Sequence, residues 1–215
     1  MASLHRPIEP GLLAQLLKHG RKRTFAENEE IFAGGDEALY LPVLLSGTIK
    51  MIHFLEPGKE VIVGIFHEGE MFAVPPVFDG GKYPATAIAM EKSELLLISR
   101  PDFLSLLRSS SDFSFFVIGW MSAMLRDKTA MIQNLATASP LHRVGHVLLK
   151  LAEESDGESD VRITLRRQDI ARIAGLTTET AIRAVRKLAD KGLVTISHGK
   201  IIVGSKGPLE RFLES

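Results

Sequence analysis

The chain has 215 residues, with 26 Lys+Arg balanced by 26 Asp+Glu, and no cysteine. That length suits one large domain or two modest ones, at about 100–200 residues per domain. Missing cysteine excludes disulfides, iron–sulfur clusters and thiolate zinc sites, and a zero net charge argues at face value against a nucleic-acid binder. The longest uncharged apolar run, residues 113–125, is shorter than the ~18–20 needed to span a bilayer. Glu9 and Pro10 stand where an export signal would need an apolar core. The expectation is a cytoplasmic protein with no membrane partner.

Leu12, Leu13, Leu16 and Leu17 predict a short helix over 11–19. From residue 23 to 99 the pattern changes to short β-rich runs at 30–32, 40–45, 49–54, 61–66, 85–89 and 94–98. Turn residues separate them: Gly34 and Gly35, Gly47, Pro57 and Gly58, Gly69, then Gly80 and Gly81. Close, regular spacing without βαβ alternation predicts an antiparallel sandwich or barrel.

A short helix is predicted at 101–107, then one long helix over 112–138, where Gly119 is the sole glycine. In it Val117, Met121, Met124, Lys128, Met131 and Leu135 step by four and three. That heptad seam predicts pairing with a second copy, although Lys128 interrupts it. Phe116, Trp120 and Ala123 form a second face that can pack on the chain's own barrel. Ser139 and Pro140 then read as N-cap and first residue of a new helix over 141–152. A polar loop at 156–159 ends it.

A boundary near residue 138 divides the charge into −3 over 1–137 and +3 over 138–215. The basic excess therefore sits in the smaller C-terminal part, as nucleic-acid binding requires.

Residues 165–191 read LRRQDIARIAGLTTETAIRAVRKLADK. A short helix over 167–174 places Ile170, Ala171 and Ala174 on one face. Gly175 permits a tight turn, Leu176 plugs the core, and Thr177 N-caps the next helix. This is a helix-turn-helix pattern. At about 100° per residue, Ala181, Ala184, Val185 and Leu188 form one side of the second helix, and Glu179, Ile182, Arg183 and Arg186 the other. Arg183 can donate twice to a guanine and Glu179 can accept from a cytosine amine. The alternative is a plain surface ion pair. Residues 193–196 and 201–203, around His198, Gly199 and Lys200, predict a hairpin wing. Lys200 at its tip meets a phosphate or is simply solvated.

The order of these parts resembles the CRP/FNR superfamily of bacterial transcription regulators. The resemblance rests on Tyr40 with Ser46-Gly47, Gly69-Glu70, the long helix, and RQDIARIAGLTTETAIRAVRKLADKGLV. It implies an α+β fold: an N-terminal antiparallel β-roll (a jelly-roll-like barrel, 1–111), a long dimerisation helix (112–138), and a C-terminal winged helix-turn-helix (139–215). It implies a homodimer that binds palindromic double-stranded DNA, meets RNA polymerase and answers to an effector, and it implies no catalysis. Glu179 and Arg183 match the family's main base-reading positions. Thr178 stands where one branch reads a base with arginine, and Ile182 where the fumarate–nitrate branch has serine. Arg167, Gln168, Thr177 and Thr180 match phosphate-holding positions, and Arg186 and Lys200 are further phosphate candidates.

The resemblance places the effector region at Gly69, Glu70, Met71, Tyr83, Pro84, Ala85 and Thr86. Cyclic-nucleotide-binding members have a second Gly-Glu and an Arg-Ser there. This chain has Ala73-Val74 and Pro84-Ala85 instead, so a buried phosphate would lack its cation, and no cyclic-AMP binding is expected. The iron–sulfur branch is excluded by the absent cysteines. The stretch KYPATA at 82–87 resembles the nitric-oxide-responsive branch, so a haem gas sensor is an alternative, with His53, His67 and Met71 as candidate ligands. The effector stays unidentified. A cupin-like metal enzyme is a rival from another class, but the chain lacks the H-x-H pair such a site uses, and useful affinity needs several converging ligands. The mechanism expected is a population shift, hinged at 136–140.

Overall fold

The computed structural model describes residues 7–56, 59–137, 139–153 and 160–213, with side chains for these except 55–56, 59, 127 and 130–137. The expected turn at Pro57 and Gly58, the loop at 156–159 and part of the hinge at 136–140 lie outside the described residues. So do the side chains of Met131 and Leu135. The chain forms two compact units that divide between Leu125 and Arg126.

The first unit opens with α1 (Pro10–Leu16), which starts on a proline, a residue preset for the first turn. Seven strands follow: β1 (Gly20–Phe25), β2 (Glu30–Phe32), β3 (Tyr40–Ser46), β4 (Ile49–Glu56), β5 (Lys59–Phe66), β6 (Thr86–Ala89) and β7 (Ser93–Ser99). They form two antiparallel sheets, ordered β1-β7-β3 and β2-β6-β4-β5. Leu41, Val43 and Leu96 from the first sheet share one core with Ile49, Met51 and Ala87 from the second. This is the expected β-roll. Gly47 turns β3 into β4 at φ +93°, a left-handed conformation that favours glycine.

Between β5 and β6 lies α2 (Val74–Asp79), which runs through two prolines at its start. After β7 comes α3 (Arg100–Ser109), capped by Ser99 and its bond from the Asp102 amide. Then α4 (Ser111–Thr137) runs for 27 residues.

Helix α4 buries Phe113, Phe116, Val117 and Trp120 in the barrel core, and Met121 and Met124 pack against it. The opposite side exposes Phe115, Ile118 and Leu125. This corrects the expected seam at Val117. Both sides of the helix are apolar in sequence, and packing against the barrel takes the side that carries the methionines.

The second unit contains α5 (Pro140–Glu153), β8 (Val161–Ile163), α6 (Arg167–Ile173), α7 (Thr178–Asp190), β9 (Thr195–Ser197), β10 (Lys200–Val203) and α8 (Lys206–Leu213). Its strands form an antiparallel sheet in the order β8-β10-β9. Val144 and Leu148 of α5, Ile170 of α6, Leu188 of α7 and Leu209 of α8 make its core. Gly145 lets α8 approach closely, since a Cβ there would stand 2.8 Å from the Leu213 side chain.

Candidate nucleic-acid interface and effector region

Helix α6 ends in a turn that the backbone fixes twice. Gly175 adopts φ +61°. The Leu176 amide reaches back to the Ala171 carbonyl at 2.9 Å, and the Gly175 amide to the Arg172 carbonyl at 3.3 Å. This pair of bonds is the Schellman arrangement, and the glycine supplies its left-handed residue. Leu176 then packs into the core below. Thr177 starts α7, its hydroxyl accepting from the Thr180 amide at 3.3 Å and lying 2.9 Å from the Thr180 hydroxyl.

Helix α7 is split by its own periodicity. Ala181, Ala184, Val185 and Leu188 are buried. On the far side the Glu179 and Arg183 side chains are 87% and 71% exposed, with Oε2 and Nη2 3.8 Å apart. A pair so exposed gains little stability from its own attraction, so neither group is committed by folding. Thr178 and Arg186 are exposed on the same helix, and Ile182 is half-buried beside them. Gln168 is exposed at the start of α6.

Strands β9 and β10 meet at His198 and Gly199, both at positive φ (48° and 76°). That is the backbone a two-residue hairpin turn requires. Arg167 is half-buried and donates to the Gly199 carbonyl at 3.3 Å, tying α6 to the turn. Burial lowers its pKa from the ordinary arginine value. Lys200 is exposed next to that turn. Sequence reasoning missed strand β8, whose Val161 and Ile163 are buried against β10. It also missed Arg143 of α5, which donates through Nη2 to the Ala174 and Gly175 carbonyls. Its partners are backbone carbonyls, so residue type carried no signal for it.

In the barrel unit, several of the candidate effector residues make contacts within the fold. Glu70 is buried, and its carboxylate accepts from the His67 amide at 2.7 Å. Tyr83 stacks on Phe32 at 3.7 Å, and its hydroxyl donates to the Tyr40 carbonyl at 2.7 Å. Burial raises its pKa. Thr86 accepts from the Gly34 amide at 2.9 Å. Met71 and Ala85 are buried, Pro84 is exposed, and Gly69 sits at φ +82°. Phe66, Phe72, Phe32 and Tyr83 form a row of ring contacts across the region.

Val74 is apolar and fully buried, and among the described residues of the barrel unit no Arg or Lys is buried. His53 is exposed with Nδ1 3.1 Å from the Pro84 carbonyl oxygen, His67 is half-buried, and Met71 lies in the core. Among the described residues no three His, Cys, Asp or Glu gather as a metal site, and no helix is long and apolar enough to cross a membrane.

Two family models match the chain: a cyclic nucleotide-binding domain over residues 22–110 and a Crp-like helix-turn-helix domain over 142–212. The protein belongs to the CRP/FNR family of transcription regulators. Relatives of this CRP/FNR regulator include the "Cyclic AMP receptor protein" of Thermus thermophilus, 29% identical over 96% of this chain and 94% of that one. The "cAMP-activated global transcriptional regulator Vfr" of Pseudomonas aeruginosa is 27% identical over 89% and 92%. Two solved structures share the fold. FixK2 from Bradyrhizobium japonicum has a TM-score of 0.80 at 19% identity, covering 89% of this chain and 96% of that one. A CooA mutant from Carboxydothermus hydrogenoformans has a TM-score of 0.82 at 16% identity, covering 99% and 98%. The homologues are regulators, not enzymes.

Proposed function

We propose that this CRP/FNR regulator is a cytoplasmic homodimer that reads a palindromic operator through Glu179 and Arg183 of α7. The observation that carries the reading is the exposure of those two side chains on the side of α7 opposite its core face. The major groove admits one α-helix, and an arginine can donate bidentately to guanine while a glutamate accepts from cytosine. Ile182 and Thr178 complete the reading face. Arg167, Gln168, Thr177, Thr180, Arg186 and Lys200 hold phosphates, and RNA polymerase is the downstream partner. The two recognition helices must stand about 34 Å apart to reach both half-sites.

Dimerisation runs through α4. Phe115, Ile118 and Leu125, with Ser122 between, supply the exposed heptad positions. We assign the effector to a class other than cyclic AMP, because Val74, Pro84 and Ala85 offer neither a ribose acceptor nor a phosphate cation.

The test is a mobility shift on a mixed pool of palindromes at two salt levels, with and without cyclic AMP. Binding should weaken steeply with salt as counterions are released. The selected sites should share an inverted G·C preference that Arg183→Ala removes, and cyclic AMP should change nothing. Equal binding of the same sequences by Arg183→Ala overturns the base-reading assignment. A saturable response to cyclic AMP overturns the effector assignment.

A further inference from the structure

The turn between α6 and α7 has an owner outside the helix-turn-helix. The Schellman bonds satisfy the Arg172 and Ala171 carbonyls, which leaves the next carbonyls at the end of α6 to find partners elsewhere. Arg143 supplies one. It projects from the first turn of α5, and its Nη2 donates to both Ala174 and Gly175, the latter at 2.8 Å. A cation at a helix C-terminus is also favoured by the helix dipole. The Arg143 Nε is buried and has no hydrogen-bond partner among the described residues.

That last fact separates this contact from ordinary packing. Burying a guanidinium nitrogen without a partner is unfavourable. A methionine or leucine would cover the same apolar surface without that cost. What an apolar residue lacks is a planar donor that spans two successive carbonyls. The contact therefore fixes geometry. Residues 174–175 set the direction in which the chain leaves α6, and two residues later Thr177 starts α7 and so sets the direction of Glu179 and Arg183.

We propose that Arg143 is a positioning residue for sequence readout, which locks the α6–α7 turn to α5 so that the recognition helix keeps one pose. This rests on α7 being the base-reading helix. Arg143 itself touches no base, and its guanidinium is engaged inside the protein rather than offered to phosphate.

The test uses the full chain and the Arg143→Met and Arg143→Lys variants. Affinity is measured for an operator selected by the wild type and for a scrambled duplex, each at two salt levels. Backbone amide exchange is followed in the DNA-free protein. With Arg143→Met, operator affinity should fall roughly tenfold or more, on the scale of losing one good base contact. Scrambled-duplex affinity and both salt slopes should stay within twofold. Exchange should quicken at Leu176 and Ala181, while Val185 and Leu188 remain protected. Arg143→Lys, which retains a donor, should recover part of the loss. A parallel fall on both duplexes, or a shallower salt slope, would make Arg143 a stabilising or phosphate-binding group and overturn the proposal. Unchanged exchange at Leu176 and Ala181 overturns it as well. If the wild type prefers no duplex, the readout assignment fails, and the exchange result still decides whether Arg143 holds the turn.

Discussion

Val117 and Ile118 are neighbours in α4 and face opposite ways, the first 4% exposed and the second 58%. One residue of helix turns the chain by about 100°, enough to move a side chain from the barrel core to the outer face. Phe115, at 74% exposed, lies on the same outer side as Ile118.

The two positions should respond differently. Ile118→Glu places a charge in the proposed seam and should give monomers by sedimentation, with the barrel still folded. Val117→Ala should leave the dimer intact and cost the barrel unit about 1–3 kcal/mol, the range for deleting buried methyl groups. Urea unfolding followed through Trp120, the chain's single tryptophan and a core residue, reads that cost directly. Dissociation by Val117→Ala, or a stable Ile118→Glu dimer, would return the seam to the buried side.

Glu179→Ala removes an acceptor from the reading face without touching the core. Sites recovered from a random DNA pool should lose their preference at one base pair per half-site, worth about 1–3 kcal/mol. Other positions should keep theirs. An unchanged site consensus would reduce the Glu179–Arg183 pair to a surface ion pair.

His146 of α5 has its pKa lowered, first by burial and then by the nearby His142. The unfolded chain therefore binds a proton more readily than the folded one. The contribution of the neutral ring to stability is complete above the ordinary histidine range and declines as pH falls through about 6.5 toward the folded value. Melting of the C-terminal unit, followed by far-ultraviolet circular dichroism, should drop to lower temperature on acidification from pH 7.5 to 5. His146→Gln should flatten that dependence. An equal slope in wild type and variant would place the titrating group elsewhere.

Gly47→Ala should destabilise the barrel by more than about 2 kcal/mol, since it combines left-handed strain with a steric conflict. An added Cβ would stand 2.8 Å from the Ser93 Cα, which is backbone and cannot swing aside. Trp120 fluorescence in urea measures the shift, and a midpoint within error of wild type would contradict it.

The helix-turn-helix was readable in the sequence because its two helices each bury one narrow face. Ile170 and Ala171 on α6, Ala174 at its C-cap, and Ala181, Ala184, Val185 and Leu188 on α7 are all buried as the spacing demanded. Strand β1 escaped because GRKRTF has no apolar alternation: only Phe25 is buried, and its pairing with β7 holds it in place. Helix α2 escaped because Pro75 and Pro76 read as breakers, yet both fall in its first turn, where prolines are tolerated. The seam in α4 was ambiguous because two apolar faces compete, and only contact with the barrel decides between them. Arg143 could not be assigned from sequence, since its partners are backbone carbonyls about thirty residues away, which leave no mark in residue type.

Strand β1 stands at the edge of its sheet and carries Arg21, Lys22 and Arg23 in succession, all exposed. An unpaired edge is a template on which a second molecule can extend the sheet. Here a copy docking in that way would have to dehydrate a row of long cationic side chains. The barrel is thereby discouraged from polymerising strand to strand, and the apolar face of α4 is left as the cheaper route by which two molecules can meet.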